Sequence, residues 1–266
     1  MNKVAIHSVP RSGSSWLGEI INSSPDVNYL YQPLFSYEFK SFLDDNSEKD
    51  DIEEFFNSIA QTNSSFIRQE DDRKEGKKPI FEKSNKLTVV AYKEVRYHHI
   101  IENMIKKCPD VKILGLVRDP RAVISSWYNA KREFRSDLGW LLEEELIYAG
   151  KKNLEKKEEY FGLSKWVETT KLFEKLSQLY PDNFKLVHYS ALLEDPLEQV
   201  EDIFAFLGLE LTSQTKSFLI SKKKVDTTYS VFKNKDKDIS WQNSLDADIV
   251  SRIEDFVKES KLEHYL

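Results

Sequence analysis

The sequence predicts an α/β fold with a mainly parallel central sheet flanked by helices. Three observations lead there. Apolar, β-favouring runs at 4–9, 27–31, 88–92, 111–117 and 184–188 alternate with segments of helical periodicity. Several of those runs end in charged or small residues just before a helix begins, where open α/β sheets hold ligands. No internal repeat, low-complexity tract or linker interrupts the pattern, so residues 1–266 read as one domain. The composition, 40% hydrophobic and 32% charged, is that of a globular protein. A net charge of −6 argues against a nucleic-acid polymer as partner. Cys108 is the sole cysteine, so an intrachain disulfide is impossible, and no apolar run reaches membrane-spanning length. Met1-Asn2-Lys3 leads into the first strand without a signal-like apolar segment, and the expected location is the cytoplasm.

The first strand meets Pro10 and then the loop Arg11-Ser12-Gly13-Ser14-Ser15. Trp16 follows, and Leu17, Ile20 and Ile21 repeat at helical spacing, with Ser14 or Ser15 as the expected N-cap. Backbone N–H groups at a helix start lack intrahelical partners, and the helix dipole adds roughly half a positive charge. Gly13 permits close approach, the serines add hydroxyl donors and Arg11 adds a fixed cation. This is an anion site, and phosphate is its expected guest. The ATP-type loop G-x-x-x-x-G-K-[ST] is not met: there is one Gly, no Lys, and Trp16 where a small residue belongs.

The second run ends at Gln32-Pro33. Residues 34–86 then form an insertion with charge-rich stretches at 44–54 and 68–78. Ile52, Phe55, Phe56 and Ile59 mark one amphipathic helix within it, and insertions of this size often form a substrate lid. The third run ends in Lys93-Glu94-Val95-Arg96, with His98 and His99 following as groups that titrate near neutrality. A helix over 100–107 leads to the fourth run, which ends in Arg118-Asp119-Pro120. Asp119 suits a cap and Pro120 a first helical turn, so Arg118 sits at a strand tip beside a helix start, a second anion pocket. Ser126 returns toward that pocket from the same helix. Residues 131–161 are polar and helix-prone around Trp140, Leu141 and Leu142, and 164–180 reads as an amphipathic helix. The fifth run is followed by Tyr189, then by a helix marked by Leu197, Val200, Ile203, Phe204 and Leu207 and closed by Gly208. A basic loop over 222–235, a Ser240-Trp241-Gln242 element and a terminal helix through Ile249, Ile253, Phe256 and Val257 complete the chain.

The run Pro10-Arg11-Ser12-Gly13-Ser14-Ser15-Trp16-Leu17 resembles the 5′-phosphosulfate loop of sulfotransferases that use 3′-phosphoadenosine 5′-phosphosulfate (PAPS). Its continuation through Tyr31-Gln32-Pro33 is most similar to the carbohydrate sulfotransferases. Arg118 and Ser126, eight residues apart, resemble the family's 3′-phosphate motif. Tyr189 to Pro196 resembles its Tyr-x-x-Leu-x-x-Asp-Pro segment. The resemblance implies a three-layer, P-loop-like fold, PAPS as co-substrate, no metal, and sulfuryl transfer to a hydroxyl of a carbohydrate or other small acceptor. It implies cofactor contacts from Arg11, Ser12, Gly13, Ser14, Ser15 and Trp16 at the phosphosulfate, from Arg118, Ser126 and Lys233 at the 3′-phosphate, and from Tyr189 at the adenine. Arg11 and Lys93 would meet charge growing on the leaving phosphate. Gln32 stands where carbohydrate enzymes carry a candidate catalytic Glu, and an amide cannot take the proton. Glu94 is the expected replacement, with His98 next and then Glu82, which lies in a run resembling heparan sulfotransferases. Residues 34–86 and 131–162 fall outside the resemblance and are the expected acceptor side. Two other readings stay open: an ATP-dependent kinase or NTPase of P-loop type, and a non-catalytic PAPS-binding protein.

Overall fold

A computed structural model describes residues 1–221, 231 and 238–266. Among these residues five strands form one sheet, β1 (Asn2–His7), β2 (Val27–Tyr31), β3 (Val89–Glu94), β4 (Val111–Val117) and β5 (Phe184–His188). Their order is β2-β3-β1-β4-β5, and every pairing is parallel. All strand C-termini therefore share one edge. The helices in chain order are α1 (Ser14–Asn22), α2 (Lys49–Gln61), α3 (Ser65–Arg68), α4 (Glu70–Lys74), α5 (Ile101–Lys107) and α6 (Pro120–Tyr128). They continue as α7 (Leu142–Glu145), α8 (Gly150–Asn153), α9 (Leu163–Leu179), α10 (Tyr189–Glu194), α11 (Pro196–Leu207), α12 (Ser213–Ile220) and α13 (Ala247–Glu259).

Strand side chains alternate between faces, and each face buries its own core. Val4, Ile6, Val89, Ala91, Leu114 and Leu116 pack with Leu17 and Ile20 of α1 and with α11 and α12. Ala5, Val90, Tyr92, Ile113 and Val117 pack with α2, α5, α6, α9 and α13. These are the three layers. The helix after β1 thus lies on one face and the helix after β4 on the other, although β1 and β4 are neighbours. That arrangement is a topological switch point, and it opens a crevice beyond the carboxyl ends of the two strands.

Strands β2, β4 and β5 fall on the runs read from sequence, while β3 extends two residues further, to Glu94. Helix α1 is capped by Gly13, not by Ser14 or Ser15 as expected, because the loop turns through a left-handed residue there (φ 91°). The polar stretch 131–161 breaks into short turns and the helices α7 and α8. The far end of the 34–86 insertion is tied to α1, with Arg73 Nη2 2.9 Å from Oε1 of the buried Glu19. Removing one partner of a buried pair strands the other charge at a cost of about 3–5 kcal/mol. Arg73→Ala is therefore expected to lower the unfolding free energy by an amount in that range. Urea denaturation measures it, and an unmoved midpoint would show that Glu19 finds another partner.

Candidate functional site

The site grows from the tips of β1, β4 and β5. Beyond β1, Arg11 and Gly13 both adopt positive φ, 72° and 91°, and fold the loop onto the start of α1. A Cβ on Gly13 would lie 2.3 Å from Cε2 of Tyr189, so this close approach requires glycine. Among the described residues, Ser12 Oγ is buried without a hydrogen-bond partner, and no side chain caps α1. Buried hydroxyls are almost always satisfied, so these groups fit an anionic ligand that supplies the missing acceptor. Ser14 is buried and Ser15 half-buried in the same turn. The Trp16 ring is buried edge-on behind Tyr189, with centroids 6.1 Å apart.

At the tip of β4, Asp119 caps α6 by accepting from Arg121 N at 2.8 Å, with Pro120 in the first turn. Arg118 Nη1 donates to the carbonyl of Arg11 at 2.7 Å, and its guanidinium lies 4.7 Å over the Tyr189 ring. Arg11 Nε donates to Ser126 Oγ at 3.1 Å. The loops beyond β1 and β4 and Tyr189, well separated in sequence, are one constellation. Arg118 Nε and Nη2 also donate to Asp238, at 2.6 and 2.5 Å. The indole of Trp166, on α9, holds this tip by donating to the carbonyl of Arg118 at 3.0 Å. Nothing in the local sequence around Asp238 or Trp166 signalled these partners. Lys233 and most of the basic loop lie outside the described residues.

At the tip of β3, Lys93 is buried with Nζ 4.5 Å over the ring of Tyr31, its register partner on β2. Burial pushes this ammonium down to about 7, against the favourable charge of Glu94. Glu94 belongs to the opposite face by strand alternation, with Tyr92 and its register partner His7. One carboxyl oxygen accepts from Val95 N at 3.1 Å, and the other is buried without a hydrogen-bond partner among the described residues. Burial pushes that carboxyl up to about 7, against the pull of Lys93. Lys93 and Glu94 therefore do not face a common point.

Two expected proton acceptors are misplaced for the cleft. His98 is fully buried, its Nδ1 3.0 Å from Nδ1 of His7 and its ring 4.2 Å from that of Tyr160. Burial holds it well below the usual histidine range, as a neutral core residue. Glu82 lies at the strand starts, where its N–H donates to Gln214 at 2.8 Å and the adjacent Lys83 donates to the carbonyl of Val27 at 2.9 Å. The sequence reading also passed over Glu133, whose Oε1 lies 3.8 Å from Arg11 Nη1.

Among the described residues, two of the cavities lie at this edge. One of about 500 Å³ lies off β2 and β3 and is lined by Leu34, Phe35, Phe66, Arg96, Tyr97 and Lys156, among others. Both segments expected on the acceptor side contribute to it. Its walls combine the aromatic rings of Phe35, Tyr37, Phe66 and Tyr97 with charged side chains, and Arg96 lies 3.9 Å over the Phe35 ring, held by Glu159 at 3.0 Å. The other, about 590 Å³, lies off β4 and β5 and is lined by Arg118, Arg121, His188, Asp238 and Trp241, among others. Among the described residues, one cluster carries metal-ligating atoms: Glu53, Cys108 and Asp110, whose carboxylates pair with Lys3 at 2.9 and 2.5 Å. No described helix is long and apolar enough to cross a membrane.

Comparison with known proteins gives a consistent picture. A family model described as a sulfotransferase domain matches residues 1–264. The carbohydrate sulfotransferase 5 of Mus musculus is 24% identical over 255 residues, covering 79% of this chain, and the chain spans 64% of that relative's length. Among solved structures, mouse sulfotransferase SULT7A1 complexed with PAP superposes with a TM-score of 0.57 at 14% identity, covering 100% of this chain and 89% of that one. A sulfotransferase from Alicyclobacillus acidocaldarius gives 0.55 at 18% identity, covering 99% and 95%.

Proposed function

The chain belongs to the sulfotransferase family, and from that premise we propose that it moves the sulfuryl group of PAPS to a hydroxyl of a carbohydrate or other small acceptor. One observation carries the donor assignment: Arg118 bonds to Arg11, and Arg11 to Ser126, so anion sites at two adjacent strand tips form one surface. An adenosine 3′,5′-bisphosphate unit needs two such sites, whereas Mg-ATP needs a loop lysine that the Arg11–Ser15 turn lacks. The 24% identical relative and the cavity off β2 and β3, with its aromatic rings and charged side chains, support a carbohydrate or similar ring-bearing acceptor. Lone, buried Cys108 supports a reducing setting, and we place the enzyme in the cytoplasm.

The chemistry is in-line transfer, in which a protein contributes mostly position and charge. Ser12 and the start of α1 hold the 5′-phosphosulfate. Arg118 and Ser126 hold the 3′-phosphate, and Tyr189 lies against the adenine. Arg11 and Lys93 stabilise the charge that builds on the leaving phosphate oxygen, in a site where burial keeps such interactions strong. Calorimetry with adenosine 3′,5′-bisphosphate against ATP plus Mg²⁺ tests the donor. Labelled PAPS offered to panels of glycans, lipids and phenols tests the acceptor, and bisphosphate binding without turnover on any panel would leave a PAPS-binding protein instead.

Lys93 gives this reading a pH signature. Only the ammonium attracts the donor, and burial has lowered its pKa to about 7, so above that pH binding must take up a proton. Affinity for adenosine 3′,5′-bisphosphate is expected to fall from about pH 7 to about pH 9, where the ligand's phosphates, with a second pKa of about 6, no longer titrate. Lys93→Met should flatten that slope, and an equally steep slope in the variant would remove Lys93 from the site.

A further inference from the structure

We propose that Glu133 is the general base that takes the proton from the acceptor hydroxyl, an assignment that rests on the sulfuryl-transfer reading above. The acceptor oxygen must lose its proton as it bonds to sulfur, and the groups nearest Lys93 are poorly suited to accept it. The amide of Gln32 cannot. Glu94 lies fully enclosed on the opposite face of β3, and His98 is packed against His7 and Tyr160 in the core.

Glu133 comes from the turn after α6. Its N–H and that of Phe134 both donate to the carbonyl of Ala130, at 2.7 and 2.9 Å. Phe134 is buried against Trp127 and Trp140, with ring centroids 5.1 and 5.8 Å away, and this anchor fixes the turn. The side chain crosses to the loop beyond β1, where Oε1 lies 3.8 Å from Arg11 Nη1. Oε2 is covered by protein and has no hydrogen-bond partner among the described residues. The carboxylate is close enough to Lys93 and Tyr31 for its charge to act on both. Its side chain is 24% exposed, so the group as a whole is not sealed from solvent.

A covered carboxylate oxygen without a donor is costly, and such atoms call for a partner or a task. Turning this part-exposed carboxylate about its last torsion brings Oε2 out of its cover, where an acceptor hydroxyl supplies the donor it lacks. In the step itself the acceptor oxygen forms its bond to sulfur while the bond from sulfur to the 5′-phosphate oxygen breaks. The hydroxyl proton passes to Glu133, the electron pair of the broken bond leaves with the phosphate, and adenosine 3′,5′-bisphosphate departs. Arg11, held beside Glu133, meets the leaving phosphate, so one side-chain pair serves both ends of the transfer.

The test compares Glu133→Gln with the unaltered chain, using PAPS and two acceptors of different acidity, cyclohexanol and 4-nitrophenol. A base matters for the alcohol, whereas 4-nitrophenol is largely ionised at mildly alkaline pH, where both acceptors are assayed. The variant should lose about 10²–10⁴-fold in rate with cyclohexanol and far less with 4-nitrophenol. Calorimetry should find its affinity for adenosine 3′,5′-bisphosphate undiminished. Equal losses with both acceptors would mean that Glu133 only positions Arg11, and no loss with either would mean that it does neither; each result overturns the assignment. An unaltered chain that failed to bind the bisphosphate would instead remove the donor reading on which the assignment rests.

Discussion

Arg118→Ala is expected to weaken binding of adenosine 3′,5′-bisphosphate by about 10- to 100-fold while leaving adenosine 5′-phosphate almost unaffected. Hydrogen bonds to charged groups contribute about 1.5–3 kcal/mol, and each 1.4 kcal/mol is tenfold in affinity. Arg118 is buried at the tip of β4, within reach of the Arg11 loop and the Tyr189 ring, where a 3′-phosphate would lie beside the adenine. Its Nε and Nη2 are both engaged by Asp238. That carboxylate occupies the donors a phosphate would use, so the incoming anion must share or displace it. Asp238→Asn is therefore expected to tighten bisphosphate binding, opposite in sign to Arg118→Ala. Calorimetry with both nucleotides measures the two effects. Equal losses for the two nucleotides in Arg118→Ala would show that this residue does not read the 3′-phosphate. Weaker binding in Asp238→Asn would show that Asp238 holds Arg118 in its binding posture.

Arg11→Ala is expected to lower kcat by about 10²–10³-fold, more than it raises the dissociation constant of the bisphosphate. The guanidinium is placed by three features: the left-handed turn at residue 11, the bond to Ser126 and the neighbouring Glu133 carboxylate. Its target is the leaving phosphate oxygen, whose negative charge grows as the bond to sulfur breaks. An interaction that strengthens toward the transition state appears in kcat, whereas one of constant strength appears in affinity. Single-turnover rates beside calorimetric affinities separate the two. A change in affinity alone would make Arg11 a binding residue only.

The strands and the turns into α1 and α6 could be read from the chain because they rest on short-range physics. Apolar runs such as 111–117 bury on both sides of a parallel sheet, and Asp119-Pro120 suits a helix start whatever surrounds it. The same local logic puts Lys93 and Glu94, as adjacent strand residues, on opposite faces. Only the tertiary structure decided which tips meet. Arg118 reaches Arg11 across 107 residues because β4 pairs with β1, a neighbour relation set by crossover connections and by two cores spread over most of the chain. Packing also drew His98 into the interior and turned Glu82 to the strand starts, though both sit in motif-like company in the sequence. Glu133 was illegible for the converse reason. Its local sequence is an ordinary polar turn, and its placement beside Arg11 comes from the burial of Phe134 and the position of α6. A linear sequence displays the forces acting within a few residues; the meeting of distant side chains follows from how the whole core closes.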